Sequence, residues 1–323
     1  MICVCAMPIW PRISDGRRAF ARAVIAMVIA GAGGAVLFAQ VPPARHTIVS
    51  DSHPLAVWAR GPATPRAAIV LVHGRTWSSR PDFDLQVPGL QRSVLSSLAA
   101  QGIAAYAVDL RGYGETRRDA TGFLTPRRAA ADVSAVVRWV AARHPTLPPP
   151  ALLGWSQGAA VAHLTAQTPG LSLSALILFG FTMDPGLKYA SLPVPERPAF
   201  AKTDAEDALS DFISPAVTPP AVMKAFAAQA VAADPVRVDW IREDEFNALN
   251  PARLTVPTMV LHGSRDPGVP ADVMARFFAK IASPQKQWTQ LPGGDHAAQL
   301  EDTHAAFVSA VVEFITRPGA VRR

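Results

Sequence analysis

Cysteine is nearly missing from this chain. Its 323 residues include two, Cys3 and Cys5, both ahead of an apolar stretch that reads as a removable leader. A chain processed after that stretch has no thiol. Disulfides, a thiolate nucleophile and a cysteine-ligated metal are then excluded, even in a compartment that permits disulfides. Charge is scarce too, at 17% of residues. Much of the excess behind the net +6 lies at the two ends, in Arg12, Arg17, Arg18 and Arg22 and in Arg317, Arg322 and Arg323. No basic stripe interleaved with aromatics appears, so nucleic-acid binding has no support. There is no His-Glu-x-x-His, no cysteine pair with metal spacing and no phosphate-cradling Gly-x-x-x-x-Gly-Lys-Ser/Thr, so no metal and no cofactor is implied.

The amino terminus is the first positive feature. "GRRAFAR" (Gly16–Arg22) resembles a twin-arginine export signal. Ala23–Ala39 follows, uncharged and mostly apolar, and shorter than the roughly 20 residues a membrane span needs. Residues 1–39 therefore read as an export signal, with cleavage near Ala39, although Leu37 is larger than the residue usually preferred there. The alternative is an uncleaved anchor, with membrane association through residues 23–39 only. Either reading puts the folded part outside the cytoplasm of a bacterium, periplasmic or secreted in the first case and anchored to the inner membrane in the second. Residues 40–46 read as a linker and 317–323 as a basic tail.

Half of the residues are hydrophobic, enough for one large α/β domain. "TIVS" and "PLAVWAR" suit an antiparallel pair. "AAIVLVHG", "IAAYAVDL", "ALLGW", "LSALILFGF", "TVPTMVLHG" and "KQWTQLP" suit strands, and the most apolar of them suit a sheet covered on both faces. Helical spacing appears over "VPGLQRSVLSSLAAQG", from Thr125 to Pro145, over Gln157–Gln167, from Ala271 to Ala282 and from Ala297 to Thr316. Strands alternating with helices predict a mostly parallel sheet with helices on both faces. The alternation breaks at residues 182–250, too long for a plain loop, which read as a helical insertion (a cap or lid) over a core of 47–181 and 251–316.

Within that pattern Gly154-Trp155-Ser156-Gln157-Gly158 sits between a strand and a helix. The spacing Gly-x-Ser-x-Gly in that context points to a serine held on a sharp turn at the end of a sheet, with helix N–H groups beside it. A serine needs a base. His296, in "GGDH" after a strand, is the candidate; His73 and His262 sit in "HG" at strand ends, and His163, His304 and His144 fall in or beside helices. The base needs an acid, and Asp266 and Asp184 each lie just past a strand, so both stay open. A turn or helix-cap role is the alternative for Ser156 and for Asp184.

"VHG", "DLRGYG", "GWSQG", "HGSRDPGVP" and "GGDH" fall in the order and rough spacing of the α/β-hydrolase superfamily, which the chain resembles over about residues 47–316. The resemblance implies an eight-stranded sheet and a Ser156–His296–Asp266 triad, with Asp184 as the acid used by some members. It implies an oxyanion site from the backbone N–H groups of Gln157 and Arg75. The Arg75 side chain either meets an anionic group of the substrate or pairs with a local acid. Trp77 and Phe83, with Trp155, are candidates to line the pocket or to pack beneath the insertion. Asp109 and Arg111 read as structural. The expected activity is hydrolysis of carboxylic esters on a small-molecule or lipid-like substrate. A peptidase or amidase, a thioesterase, a carbon–carbon hydrolase, or a receptor on this scaffold are the alternatives. The acidic residues of the insertion (Asp204, Glu206, Asp207; Glu243, Asp244, Glu245) read as a solvated face or as binders of a substrate amine.

Overall fold

Strands that are apolar at every position must be covered on both faces, and this requirement organises the molecule. The computed structural model describes residues 42–317 apart from 182, 183 and 187. The segment read as a signal or anchor, with Cys3 and Cys5, and the tail beyond Arg317 lie outside the described residues. Among the described residues no helix is long and apolar enough to cross a membrane.

The strands are β1 (Ala44–Ser50), β2 (His53–Arg60), β3 (Ala67–Val72), β4 (Ile103–Val108), β5 (Ala151–Trp155), β6 (Leu176–Phe179), β7 (Thr258–Gly263) and β8 (Lys286–Leu291). They form one eight-stranded sheet in the order β1-β2-β4-β3-β5-β6-β7-β8. β2 runs antiparallel to both neighbours, and the remaining pairs are parallel. This is the α/β-hydrolase fold.

The period-two alternation of each strand sorts the core into two layers. Ile69 and Leu71 of β3 pack with Phe83 of α1 (Ser79–Phe83), Leu95 and Leu98 of α2 (Val94–Ala100) and Phe307 and Val311 of α8 (His304–Thr316). Val70 and Val72, which alternate with them in sequence, face Val133 and Val137 of α3 (Pro126–Arg143), Ala160 of α4 (Gln157–Ala166) and Phe277 of α7 (Ala271–Lys280).

Three local expectations differ from the structure. Residues 44–46, read as linker, already belong to β1, where His46 packs its ring 5.1 Å from that of Trp139 on α3. The stretch 87–102, read as one helix, opens as a small hairpin of Leu85–Val87 and Leu90–Arg92. Pro88 and Gly89 (φ 75°) supply its turn, and the helix begins only after Ser93 accepts the Ser96 N–H. The last helix, read from Ala297, starts at His304. The Asp295 carboxylate takes the Ala297 N–H, and the Thr303 hydroxyl donates to the Ala298 carbonyl, so this stretch closes as turns.

The insertion is helical in pieces, as its pattern reads. It holds α5 (Ala205–Leu209), α6 (Pro220–Ala233) and short 3₁₀ turns. Residues 188–200, rich in proline that cannot donate to a ladder or helix, form no helix or strand. It is nonetheless stitched to the core. Phe226 of α6 meets Trp77 edge-on at 6.3 Å, Gln229 donates to the Gln86 carbonyl at 2.8 Å, and Asp239–Trp240 pairs in parallel with Phe123–Leu124.

The β5–α4 turn tolerates no side chain at its flanking glycines. A Cβ on Gly158 would overlap the carbonyl oxygens of Val72 and His73, and one on Gly154 would overlap the Gly158 backbone. Gly170 (φ 73°) has nothing near its Cβ position. Gly158→Ala should therefore cost about 3 kcal/mol or prevent folding, as overpacking against rigid backbone does, while Gly170→Ala costs about 1 kcal/mol from its left-handed backbone. Urea unfolding of both variants checks the ranking, and equal midpoints would contradict it.

Candidate active site

Ser156 follows β5 with φ 55° and ψ −123°, a conformation a non-glycine residue holds only when its surroundings over-determine it, at a cost of roughly 1–3 kcal/mol. Three things impose it. The Ser156 N–H donates to Phe179 O at 2.8 Å, its carbonyl already accepts the Ala159 N–H at 2.9 Å, and the two glycines let the turn press against the end of β3. Gln157 is the first residue of α4, so its N–H has no intrahelical partner and shares the positive end of the helix dipole.

His296 stands on the loop after β8. Its Nδ1 donates to Asp266 Oδ2 at 2.8 Å, so Nε2 carries the lone pair. Asp266, on the loop after β7, is 6% exposed and is held in turn by the Gly268 N–H at 2.9 Å. The two loops are closed on each other by the bond from Arg265 N–H to Gly294 O at 2.9 Å. The Trp155 indole donates to the His296 carbonyl at 2.8 Å, and its ring lies 5.6 Å from the imidazole. Gly180 (φ 56°) leaves room for that ring, since its Cβ position is 3.2 Å from His296 Cε1. Trp155 precedes Ser156 in sequence, so the residue that anchors the His296 loop also leads into the strained turn.

Asp184 is elsewhere. Its carboxylate pairs with Arg276 at 2.8 Å and accepts the Gly186 N–H at 2.7 Å, which hold its pKa low. The two histidines in the strand-end His-Gly pairs have structural partners. Buried His73 donates from Nδ1 to Gly74 O at 2.9 Å and accepts the Leu110 N–H at 3.1 Å; burial brings its pKa down to about 4, so it stays neutral. His262 bonds Gly263 O and the Trp288 indole.

The Arg75 loop is fixed with similar care. Gly74 N–H donates to Asp82 at 3.0 Å, Gly74 O is taken by His73, and Arg75 O accepts the Tyr113 hydroxyl. Among the described residues no acceptor takes the Arg75 N–H. The guanidinium pairs with Glu243 at 2.7 Å and 2.9 Å and bonds Gln157 Oε1 at 2.6 Å, so it is occupied by a local acid. Trp77 and Phe83 are both fully buried in the core. Asp109 receives Trp58, Ser79 and Glu115, and Arg111 forks onto Asp132 at 2.7 Å and 2.9 Å.

The acidic clusters of the insertion are employed rather than idle. Asp204 and Asp207 form a capping box on α5, Glu245 accepts the Arg127 N–H that opens α3, and Asp244 meets Arg242. Asp211 is the carboxyl that sequence reading missed, because nothing in its neighbours distinguishes it. Burial pushes it up to about 6, against the opposing charge of His296. Burial likewise pulls His296 down, but the bond and charge of Asp266, with the charges of Asp211 and Asp295, outweigh it and leave the imidazole more basic than usual. Behind them lies a second pair. Buried Asp295 accepts the Ser214 N–H of the insertion and donates its own N–H to Glu301 at 2.8 Å. Burial and the neighbouring Asp295 carboxylate raise Glu301 to about 9, so it is protonated at neutral pH.

Residues 63–303 match the family described as serine aminopeptidase, S33. No curated protein matches the chain. Among solved structures, an esterase from Rhodococcus is 25% identical with a TM-score of 0.62, covering 85% of this chain and 99% of its own. A thermophilic esterase from Thermogutta terrifontis is 22% identical with a TM-score of 0.61, over 84% of this chain and 98% of its own. A thioesterase domain from the curacin biosynthetic pathway is 18% identical with a TM-score of 0.57, over 84% and 99%.

Two outcomes follow from the carboxyls. Asp211→Asn removes a negative charge facing His296, so the imidazole pKa falls. Because a general base works only when unprotonated, the acid limb of the pH–rate profile should move to lower pH; an unmoved limb would show that the charge is not felt. Glu301 is protonated in the fold but not in the unfolded chain between about pH 4.5 and about 9. Stability should therefore fall as pH rises through that window, and Glu301→Gln should flatten the fall, measured as thermal midpoints at several pH values.

With the fold, the strained serine turn and the family match together, the chain belongs to the serine aminopeptidase S33 family and is an enzyme of the α/β-hydrolase superfamily.

Proposed function

We propose that this protein is a serine hydrolase of carboxylic esters, working through an acyl-enzyme. The observation that carries the reading is the 2.8 Å bond from His296 Nδ1 to Asp266, on a loop that Trp155, the residue before the strained serine, holds by its indole. It leaves Nε2 as the basic nitrogen on the side of the ring away from Asp266. Ser156 Oγ attacks the carbonyl carbon as its proton passes to His296 Nε2. The carbonyl π pair moves to oxygen, where the N–H groups of Gln157 and Arg75 meet the negative charge. Collapse expels the alcohol, which takes the proton from His296. Water then repeats the sequence on the acyl-enzyme, with His296 as base again. The buried Asp266 keeps the tautomer and stabilises the imidazolium. The esterases among the solved structures support the ester as the bond cleaved. The export signal and a periplasmic or secreted location belong to the same proposal, on the twin-arginine pattern.

A second reading, an aminopeptidase or amidase with the same triad, is favoured by the family description and by Asp211, a carboxyl that faces His296 from the insertion and could hold an ammonium group. A panel of p-nitrophenyl esters, acyl thioesters and aminoacyl anilides on the purified protein separates the readings. Esters should turn over with kcat/KM at least about a hundredfold above anilides; the reverse order would overturn the ester assignment in favour of the second reading. Ser156→Ala and Asp266→Asn should each reduce ester turnover by at least about 10⁴-fold with the fold intact. Retained turnover in the serine variant would sink the mechanism.

A further inference from the structure

We propose that the insertion positions the oxyanion site: Glu243 and Trp240 act as positioning residues that hold Arg75 from two sides. This rests on the reading of the Arg75 and Gln157 N–H groups as oxyanion donors.

A peptide N–H points where its plane points, so it is fixed only if the groups on either side are fixed. The plane that carries the Arg75 N–H is held by the His73 bond to Gly74 O. The next plane is held by the Tyr113 hydroxyl on Arg75 O, and that hydroxyl accepts the Trp240 indole N–H at 2.7 Å. The Arg75 side chain is held as well. Its guanidinium forks onto Glu243 and, through the same terminal nitrogen, reaches Gln157 Oε1. One cation thus joins the two residues whose N–H groups are the proposed donors, and one carboxylate of the insertion holds that cation.

The holder is itself braced. Arg242, a non-glycine residue, adopts a left-handed conformation (φ 55°, ψ 38°) immediately before Glu243. Glu245 caps the start of α3 at 2.8 Å, Phe246 is buried in the core, and Ile241 N–H donates to Leu124 O at 3.0 Å. The segment 239–246 is therefore a strap sewn to the core at several points, with Glu243 on the Arg75 guanidinium and Trp240 on the Tyr113 hydroxyl that holds Arg75 O. The Arg75–Glu243 pair is half exposed, with 48% and 28% of the side-chain surfaces open. Such pairs contribute little to stability. Its value is directional: a bidentate fork fixes orientation where a point charge does not.

The test uses hydrolysis of p-nitrophenyl butyrate and inhibition by a butyl trifluoromethyl ketone, which forms a tetrahedral adduct on Ser156 with a real oxyanion. Glu243→Gln keeps size and removes the fork. It should lower kcat about ten- to a hundredfold, since a small misplacement of a donor has that scale, leave KM within about threefold, weaken ketone binding in proportion to kcat, and leave the unfolding midpoint nearly unchanged. Trp240→Phe, which deletes the indole N–H, should shift kcat and ketone binding together by a smaller factor. Arg75→Lys, which keeps the charge without the fork, should fall between wild type and Glu243→Gln. Wild-type kcat and ketone affinity in both Glu243→Gln and Trp240→Phe would overturn the proposal, as would a fall in kcat with ketone affinity untouched. A wild-type protein that neither cleaves the ester nor binds the ketone would instead overturn the ester reading beneath it.

Discussion

Everything at the candidate site depends on one close approach, that of the β5–α4 turn to the end of β3. Gly154 and Gly158 let backbone meet backbone there, with the Val72 and His73 carbonyls where a Cβ on Gly158 would be. The contact forces Ser156 into its strained conformation, puts the α4 N-terminus at the mouth of the sheet and brings Gln157 beside the loop that carries Arg75. A turn with ordinary side chains would sit further out and lose all three consequences together. The strain is stored locally and restrained by the surrounding sheet, which agrees with the general pattern of strained residues at functional sites.

The second organising element is the set of carboxyl groups beneath the loops. Asp82, Asp109 and Asp234 accept backbone N–H groups of Gly74, Ser79, Ser78 and Gly114, so buried acids serve as fixed acceptors where no sheet or helix supplies one. Burial raises the pKa of each. Asp234 comes from the insertion, so the loops at the sheet mouth are tied from below by the core and from above by the insertion. Such ties turn surface loops into rigid positions for side chains and N–H groups.

How much of this was legible in the residues varied with the range of the interaction. "ALLGW", followed by "SQG", reads as strand, turn and helix because its periodicity and glycines are local, and the structure has β5 end at Trp155 and α4 begin at Gln157. The stretch 87–102 misled because Pro88 and Gly89 make a hairpin that helical spacing hides. The 297–303 stretch misled because a buried aspartate and a threonine compete for its backbone. Asp266 and Asp184 stand in equivalent places along the chain. The superfamily resemblance favours Asp266, and the structure puts it on His296 and Asp184 on Arg276. Asp211 and Trp240 carried no signal beyond residue type, and the roles of Tyr113 and Glu243 beside Arg75 could not be read, because their partners lie far away in sequence or in an irregular segment.

The sequence by itself determined the alternation of strands and helices and the glycine-flanked serine between them, because these depend on periodicity and steric size. The tertiary structure decided which aspartate meets the histidine, that Arg75 is occupied by Glu243 and Gln157, and that the insertion reaches the sheet mouth through Trp240 and Glu243. Those are choices among chemically equal residues. They are settled by which loops the parallel sheet brings to one end and by which carboxylates its burial leaves facing a cation or an N–H.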